Sequence, residues 1–460
     1  MQALRRRLSD ICLSLPFALF LFVAAACVVM LRAEVAGVLI FIGILSLLLI
    51  FCDDITVTTL PFLLLCLFVL KCYDSFHTFI VYAPLAVIPI GAFLYHILAH
   101  KTPFRRGKSF YGIVAVAAAV TLGGWFTLPF KDYFSGTSLF YIAGLGVGMI
   151  AAYLLMKREF QPSDRYSLVD RLFALFYIAG FFGVFMMASH FYLEAELVEE
   201  IGILIQWSNN LSTLMMFFLP APFYFALTRN RLHILSGFLF YLTIVITGSR
   251  GGTLMGGIEL LLCLLFVMRR DKWLRNILIV LSLVAILIVA LYPSIIKELV
   301  EKFIEYTHND DASFKDDPRV KMMQAALRDF AANPIFGQGL GYQGNHDIYS
   351  PVTGAANWYH MMIFQVIGSL GSVGIAAYGY QFVVRVRMIL KNTTVQKIAL
   401  GLSYSGILLM SQVNPGEFCP IPYELLTVLL FIFLELPDTE LTGESRSAFT
   451  SLKEAFGKRT

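Results

Sequence analysis

Long apolar stretches separated by short polar connections set the pattern of the chain. They recur at roughly 11–32, 34–52, 55–72, 77–100, 110–130, 137–157, 171–192, 206–228, 231–248, 251–268, 274–293, 358–384, 398–413 and 421–436. Each is about as long as a helix needs to be to cross a hydrocarbon core. A bilayer interior offers backbone groups no water, so spans of this kind have to be helices. The pattern predicts an all-α polytopic membrane protein with about 12 to 14 transmembrane helices, least sharply divided over 34–72.

One connection departs from the short ones. Residues 293–357 form a large external loop in this reading, with short helices inside it, and a structureless loop of that length is uncommon unless it has a task. Ile296, Leu299 and Phe303 recur at helical spacing, which predicts an amphipathic helix on the membrane surface. In "DDPRVKMMQAALRDF", Asp317 is placed to cap a helix that starts at Pro318. It carries Val320, Met323, Leu327 and Phe330 on one face and stops at Asn333 and Pro334. "GQGLGYQGNHD" then reads as turns. The expected organisation is one integral membrane domain over 1–460, with 437–460 as a cytoplasmic tail.

Composition fits the pattern: 58% of residues are hydrophobic and 14% charged, against about 25% charged in soluble proteins. Lys and Arg fix the orientation. Arg5 to Arg7, the 101–108 and 157–171 clusters, Arg229 and Arg231, the 269–275 and 385–397 clusters and the tail hold 25 of the 35 basic residues. Placing these groups inside gives fourteen spans with both ends cytoplasmic. The net charge of +4 therefore reflects membrane anchoring and gives no reason to expect nucleic acid. The basic N-terminus followed by about twenty apolar residues reads as a retained first helix. Seven cysteines show no metal-type spacing, and nothing pairs Cys72 with Cys419 near the outer face.

Three residues on the outer face carry candidate chemistry. Arg250 in "TGSRGGTLMGG" stands between Ser249 and the pair Gly251 and Gly252, where one span ends and the next begins. Free N–H groups of a helix start would lie beside its guanidinium, and glycines would let an anion approach that backbone. Arg319 takes the second position of the loop helix, where a cation opposes the helix dipole unless an anion offsets it. His360, in "NWYHMMIFQVIGSLGSVGI", opens the span after the large loop, and a histidine near its ordinary pKa of about 6.5 can accept a hydroxyl proton. Each also has a plainer reading, as a head-group contact, an Asp316 or Asp317 pair, or an interfacial histidine. No phosphate-binding GxxxxGK[ST] appears, and the acidic pairs of the loop lack an Asp-x-Asp arrangement, so no metal or cofactor is expected. Asn209 and Asn210, costly in lipid, are expected to face the bundle interior. Charged residues are otherwise expected at the surfaces, an arrangement that favours chemistry at one face over alternating access.

"TGSRGG", then "RVKMMQAALRDFAANPIFGQGLG", then "YHMMIFQVIGSLGSVGI", in that order and spacing, resembles the O-antigen ligase and polymerase superfamily of bacterial envelope enzymes. The likeness covers Tyr241 to Ala377. It implies a GT-C-like membrane glycosyltransferase in the bacterial cytoplasmic (inner) membrane, active on its external or periplasmic face. The donor would be an undecaprenyl-diphosphate-linked glycan and the acceptor a hydroxyl. Arg250 and Arg319 would bind the diphosphate, His360 would be the catalytic base, and no metal would be needed. Gln365, Gly368 and Gly371 match the family's pattern after the histidine. Met361, Ser369 and Met323 depart from residues common there. The acceptor stays open: a lipid A-core sugar for a ligase, a lipid-linked glycan for a polysaccharide polymerase, or a protein hydroxyl for an oligosaccharyltransferase. A lipid-linked glycan flippase or transporter is the reading from a different class.

Overall fold

The computed structural model describes residues 2–71, 83–99, 103–125, 136–163, 165–194, 207–291, 318–340, 359, 361–414, 416–442 and 447–449. These are helical, with no strand among the described residues. The first helices are α1 (Gln2–Cys12), α2 (Leu15–Met30), α3 (Glu34–Phe51), α4 (Thr59–Lys71), α5 (Val87–Ala99), α6 (Ser109–Leu122), α7 (Gly136–Ala143) and α8 (Met149–Glu159). They are followed by α9 (Leu168–Leu193), α10 (Ser208–Phe218), α11 (Pro220–Thr228), α12 (His233–Ile246), α13 (Arg250–Arg270) and α14 (Lys272–Leu291). The remainder are α15 (Pro318–Ala332), α16 (Met362–Leu390), α17 (Val395–Met410), α18 (Leu425–Leu434) and the short α19 (Asp438–Thr442).

Each predicted apolar run carries helix, and 34–72 divides into α3 and α4 around a tight turn at Ile55–Thr58. Among the described residues, fewer helices reach span length than the run lengths suggest. Among the described residues six helices are long and apolar enough to cross a membrane, or seven if the bent pair α1 and α2 counts as one, and six shorter apolar helices accompany them. Hydropathy counts residues, whereas Gly and Pro interrupt helices inside a run. The 421–436 run begins in an irregular turn at Pro420–Glu424, whereas the 137–157 run keeps span length although Gly146 leaves helical geometry within it.

The centre of the bundle is α10 and α11, in which every residue from 211 to 226 is buried. A helix apolar all round belongs in such a place. The long α9 packs on both and on α2, α4 and α12. Their contacts are largely aromatic: Phe173 stacks on Tyr224 at 4.5 Å and Phe176 meets Phe217 at 4.8 Å. Asp170, buried in the first turn of α9, accepts from the Tyr224 hydroxyl and pairs with Arg229 at 3.1 Å, which satisfies the buried charge. Outward faces are equally apolar, with Leu235 and Leu242 of α12 and Val280 and Leu283 of α14 exposed.

Basic residues tie together one end of the bundle. Arg165 pairs with Asp10 at 2.8 Å, Lys157 with Glu435 at 3.1 Å and Arg231 with Asp271 at 2.7 Å. Arg250 and Met362, the first residues of α13 and α16, lie at the other end. Arg385 corrects the reading of its cluster as loop. It is 1% exposed within α16 and bridges Glu417 and Glu424, at 2.7 Å to the latter, with its guanidinium 5.0 Å from the Phe431 ring. Glu424 stands eleven residues before Glu435 along α18, about 16 Å of helix rise, so this network sits well inside the bundle. Glu259 of α13, also fully buried, accepts from Ser405 at 2.8 Å. The expectation that charges keep to the surfaces therefore fails, because packed helices supply partners that a hydropathy reading cannot see.

α16 is broken rather than bent. Gly371 has φ 61° and ψ −153°, a region open essentially to glycine alone. In an unbroken helix the N–H groups of residues 372 and 373 would bond to the carbonyls of 368 and 369. Instead Ser372 N donates to Pro334 O at 2.9 Å and Val373 N to Ile335 O at 3.1 Å. The released carbonyls accept in turn: Gly368 O from Gln338 N at 2.9 Å and Ser369 O from Gly339 N at 2.8 Å. The "NPIFGQG" segment after α15 is thus stitched into the break by four backbone bonds. Gly337, at φ 65°, faces Gly371, and a Cβ on either would lie within 2.6 Å of the other strand's backbone.

Candidate functional site

The α13 start explains what "TGSRGG" does locally. Gly248 turns the chain at φ 74° after α12. Ser249 is the N-cap, its Oγ accepting from Gly252 N at 2.9 Å and donating to Asn209 Oδ1 at 2.6 Å. Asn210 accepts from Tyr423 Oη at 3.1 Å, so both asparagines face the bundle as expected. The two glycines have a different role from the one expected. A Cβ on Gly251 would meet Val413 at 2.8 Å and one on Gly252 would meet Ser212 at 2.7 Å. Both are buried and let α13 pack tightly against α10 and the turn after α17, leaving no open backbone over Gly252 for an anion. What remains open is Arg250. Its side chain is exposed, and it makes no hydrogen bond or ion pair with another described residue.

The start of α16 reaches the same turn. Met362 N donates to Ser411 O at 2.8 Å, two residues from the Val413 that abuts Gly251. The first turns of α13 and α16 are therefore held against one short segment, 411–413. His360 itself lies outside the described residues; its neighbours do not. Tyr359 is 3% exposed, donates its N–H to Gln365 Oε1 at 3.0 Å and its hydroxyl to Asp329 of α15. Gln365 Nε2 in turn donates to Ser369 Oγ at 2.9 Å. The residue before His360 is thus fixed to two helices.

α15 spans Pro318 to Ala332, as the capping pattern predicts, with Arg319 at its second position. Asp317, the expected cap, the side chain of Arg319 and the expected surface helix around 296–303 lie outside the described residues. The buried face is not the expected one. Met322, Ala325, Ala326 and Asp329 are buried, while Leu327 is 51% exposed. Small side chains let α15 approach α16 closely, and a Cβ at Gly368 would stand 3.2 Å from Ala326 Cα. Burial raises the Asp329 pKa above the ordinary carboxylate value, against the opposing effects of the Tyr359 hydroxyl and Arg328.

Asp329, Tyr359 and Ser369 were invisible in the sequence as parts of this frame. The available signal was an acidic residue continuing a small-residue stripe, four positions after Ala325. Among the described residues no three His, Cys, Asp or Glu side chains converge as a metal set. Cys419 keeps a free thiol that donates to Ile421 O, and Cys72 lies outside the described residues.

The arrangement offers a guanidinium at a helix start, without a partner among the described residues, and an anchored Tyr359 just before His360, the two helix starts joined through 411–413. Residues 235–379, about a third of the chain, match the family model described as O-antigen ligase. The matched stretch contains Arg250, Arg319 and His360. No curated protein matches the chain.

Proposed function

We propose that the protein is a GT-C-like membrane glycosyltransferase that moves a glycan from an undecaprenyl-diphosphate carrier to a hydroxyl acceptor on the outer face of the cytoplasmic membrane. The observation that carries the reading is the O-antigen ligase match over 235–379. The exposed Arg250 at the start of α13, without a protein partner among the described residues, supports it. Cleavage of the anomeric C–O bond leaves negative charge on the diphosphate. Guanidinium groups of Arg250 and Arg319 would stabilise that charge without a metal. His360 would take the proton of the acceptor hydroxyl as its oxygen attacks the anomeric carbon from the face opposite the leaving group, inverting the configuration. Tyr359 and Gln365 would hold the backbone that carries His360. A lipid A-core sugar, a second lipid-linked glycan and a protein hydroxyl all remain admissible acceptors.

A second reading, transport or flipping of a lipid-linked glycan, keeps a place because of the broken α16 and the buried Arg385 network, features at home in transporters. Deleting the gene and analysing lipid-linked glycans by mass spectrometry separates the two. A transferase leaves its donor accumulated on the outer leaflet, whereas a flippase leaves it inside. Arg250→Ala, Arg319→Ala and His360→Ala should each strongly reduce transfer while the protein still inserts, and full activity of His360→Ala would end the general-base assignment.

A further inference from the structure

The end of the bundle opposite Arg250 holds a half-open cavity of about 940 Å³. Arg105, Arg106 and Lys108, just before α6, and Lys157 of α8 line one side. Arg387, Lys391 and Lys397, around the α16–α17 turn, line the other. The one carboxylate in the lining is Glu435, and it is fully engaged. It accepts from Ser109 N and Oγ at 2.7 and 2.6 Å and from Tyr153 Oη at 2.7 Å, and pairs with Lys157. Gly107 admits it, since any Cβ there would collide with the Glu435 carboxylate. Lys397, 7% exposed, is held at the wall by the Lys391 carbonyl at 3.1 Å. Arg105, Lys108, Arg387 and Lys391 have no carboxylate partner among the described residues.

Basic residues that only anchor a membrane protein to its inner surface need not converge. Arg269 and Arg270, at the end of α13, lie at the same end of the bundle and outside this cavity. Here seven cations from four segments face one concavity, and its walls include Tyr111, Phe160, Tyr380, Val384 and Leu434. Apolar walls of low dielectric focus the field of those charges inward. Cations above an apolar wall between helices suit a phosphate on an aliphatic stem.

We propose that this cavity is a binding site for a phosphate-bearing polyanion, with the acidic head group of a membrane phospholipid as the occupant its apolar wall favours. Phosphate oxygens would be received by Arg105, Lys108, Arg387 and Lys391, and the lipid chains would lie along α6 and α16. The site is separate from the outer-face residues and does not depend on what reaction they perform.

The test uses the full-length protein in phosphatidylcholine nanodiscs, with bound lipid read by native mass spectrometry as cardiolipin is titrated in. Arg105→Gln/Lys108→Gln/Arg387→Gln should weaken cardiolipin binding on the order of a hundredfold, the combined effect of three near-surface charges. Arg269→Gln/Arg270→Gln should leave it unchanged. Inorganic pyrophosphate, titrated in parallel, identifies the source: competition at low concentration marks a soluble phosphate compound, and cardiolipin binding that resists pyrophosphate marks a lipid. Equal losses in the two variants, or phosphatidylcholine retained as well as cardiolipin, overturns the proposal. Should the triple variant fail to insert, Lys391→Gln at its exposed position carries the same comparison, with a loss of about fivefold expected.

Discussion

Gly371→Ala tests whether the stitched break in α16 is built as described. A Cβ at Gly371 would lie 2.6 Å from Gly337 N and Ile335 O, backbone atoms that cannot rotate aside. The φ/ψ pair adds about 1–3 kcal/mol of strain for any residue with a side chain. The chain has one escape, which is to release the 334–339 segment and forfeit four backbone hydrogen bonds of about 1 kcal/mol net each. The cheaper route sets the loss, so Gly371→Ala should destabilise by about 3–4 kcal/mol, a large share of the roughly 5–15 kcal/mol that holds a domain together. Gly379→Ala is the matched control. It lies in the same helix with nothing within 4 Å of the new Cβ, and a helical Gly→Ala change should stabilise by roughly 0.5–1 kcal/mol. Both variants are compared in nanodiscs by thermal unfolding and by hydrogen exchange at the Gln338 and Gly339 amides. Gly371→Ala should lower the melting temperature and expose those two amides while Gly379→Ala does neither. Unchanged protection at Gln338 and Gly339 in Gly371→Ala would refute the reasoning.

Other outcomes follow from the same geometry. Arg250→Ala should reduce glycan transfer by about 10²–10³-fold, the usual loss of one charge-stabilising donor, with Arg250→Lys recovering part of it in a lipid-linked donor assay. Arg385→Met should destabilise by about 3–5 kcal/mol because Glu417 and Glu424 are left as buried charges, and Arg385→Met/Glu417→Gln/Glu424→Gln should regain much of that in a thermal unfolding assay. Asp329 has a folded-state pKa above its unfolded value of about 3.8. Between the two values the folded state keeps a proton that the unfolded state releases, so stability falls as pH rises through that window and gains as pH falls through it. Asp329→Asn should flatten that dependence, measured as α15 amide protection against pH.

The sequence revealed where helices lie far better than which faces they bury. Apolar runs located the helices, including α15 and its Asn333–Pro334 stop, because length, capping and proline chemistry are local. Burial was another matter. On α15, a helix of the large loop, hydrophobic spacing pointed to Leu327, while close packing against α16 selected Ala325 and Ala326. The break at Gly371 is set by a partner segment more than thirty residues earlier, and Arg385 looks like any loop cation until Glu417 and Glu424 fold beside it. Arg250 was legible as a helix start; its glycines were misread because the side chains that fill the space over them, Ser212 of α10 and Val413 of the turn after α17, are distant in sequence.

The short helices have a bearing on the lipid around the protein. α6 and α12, fourteen residues each with exposed apolar faces, rise only about 21 Å, against a hydrocarbon core of about 30 Å. A shortfall of that size is met by local thinning of the bilayer, by snorkelling of flanking side chains or by packing against other helices. α13, which starts at Arg250 and packs on α12, runs 21 residues and rises about 31 Å, so a full-length span stands directly beside a short one. The lipid packed against α6 and α12 should therefore differ from that against α13, and the melting temperature of the protein should fall in bilayers of longer acyl chains.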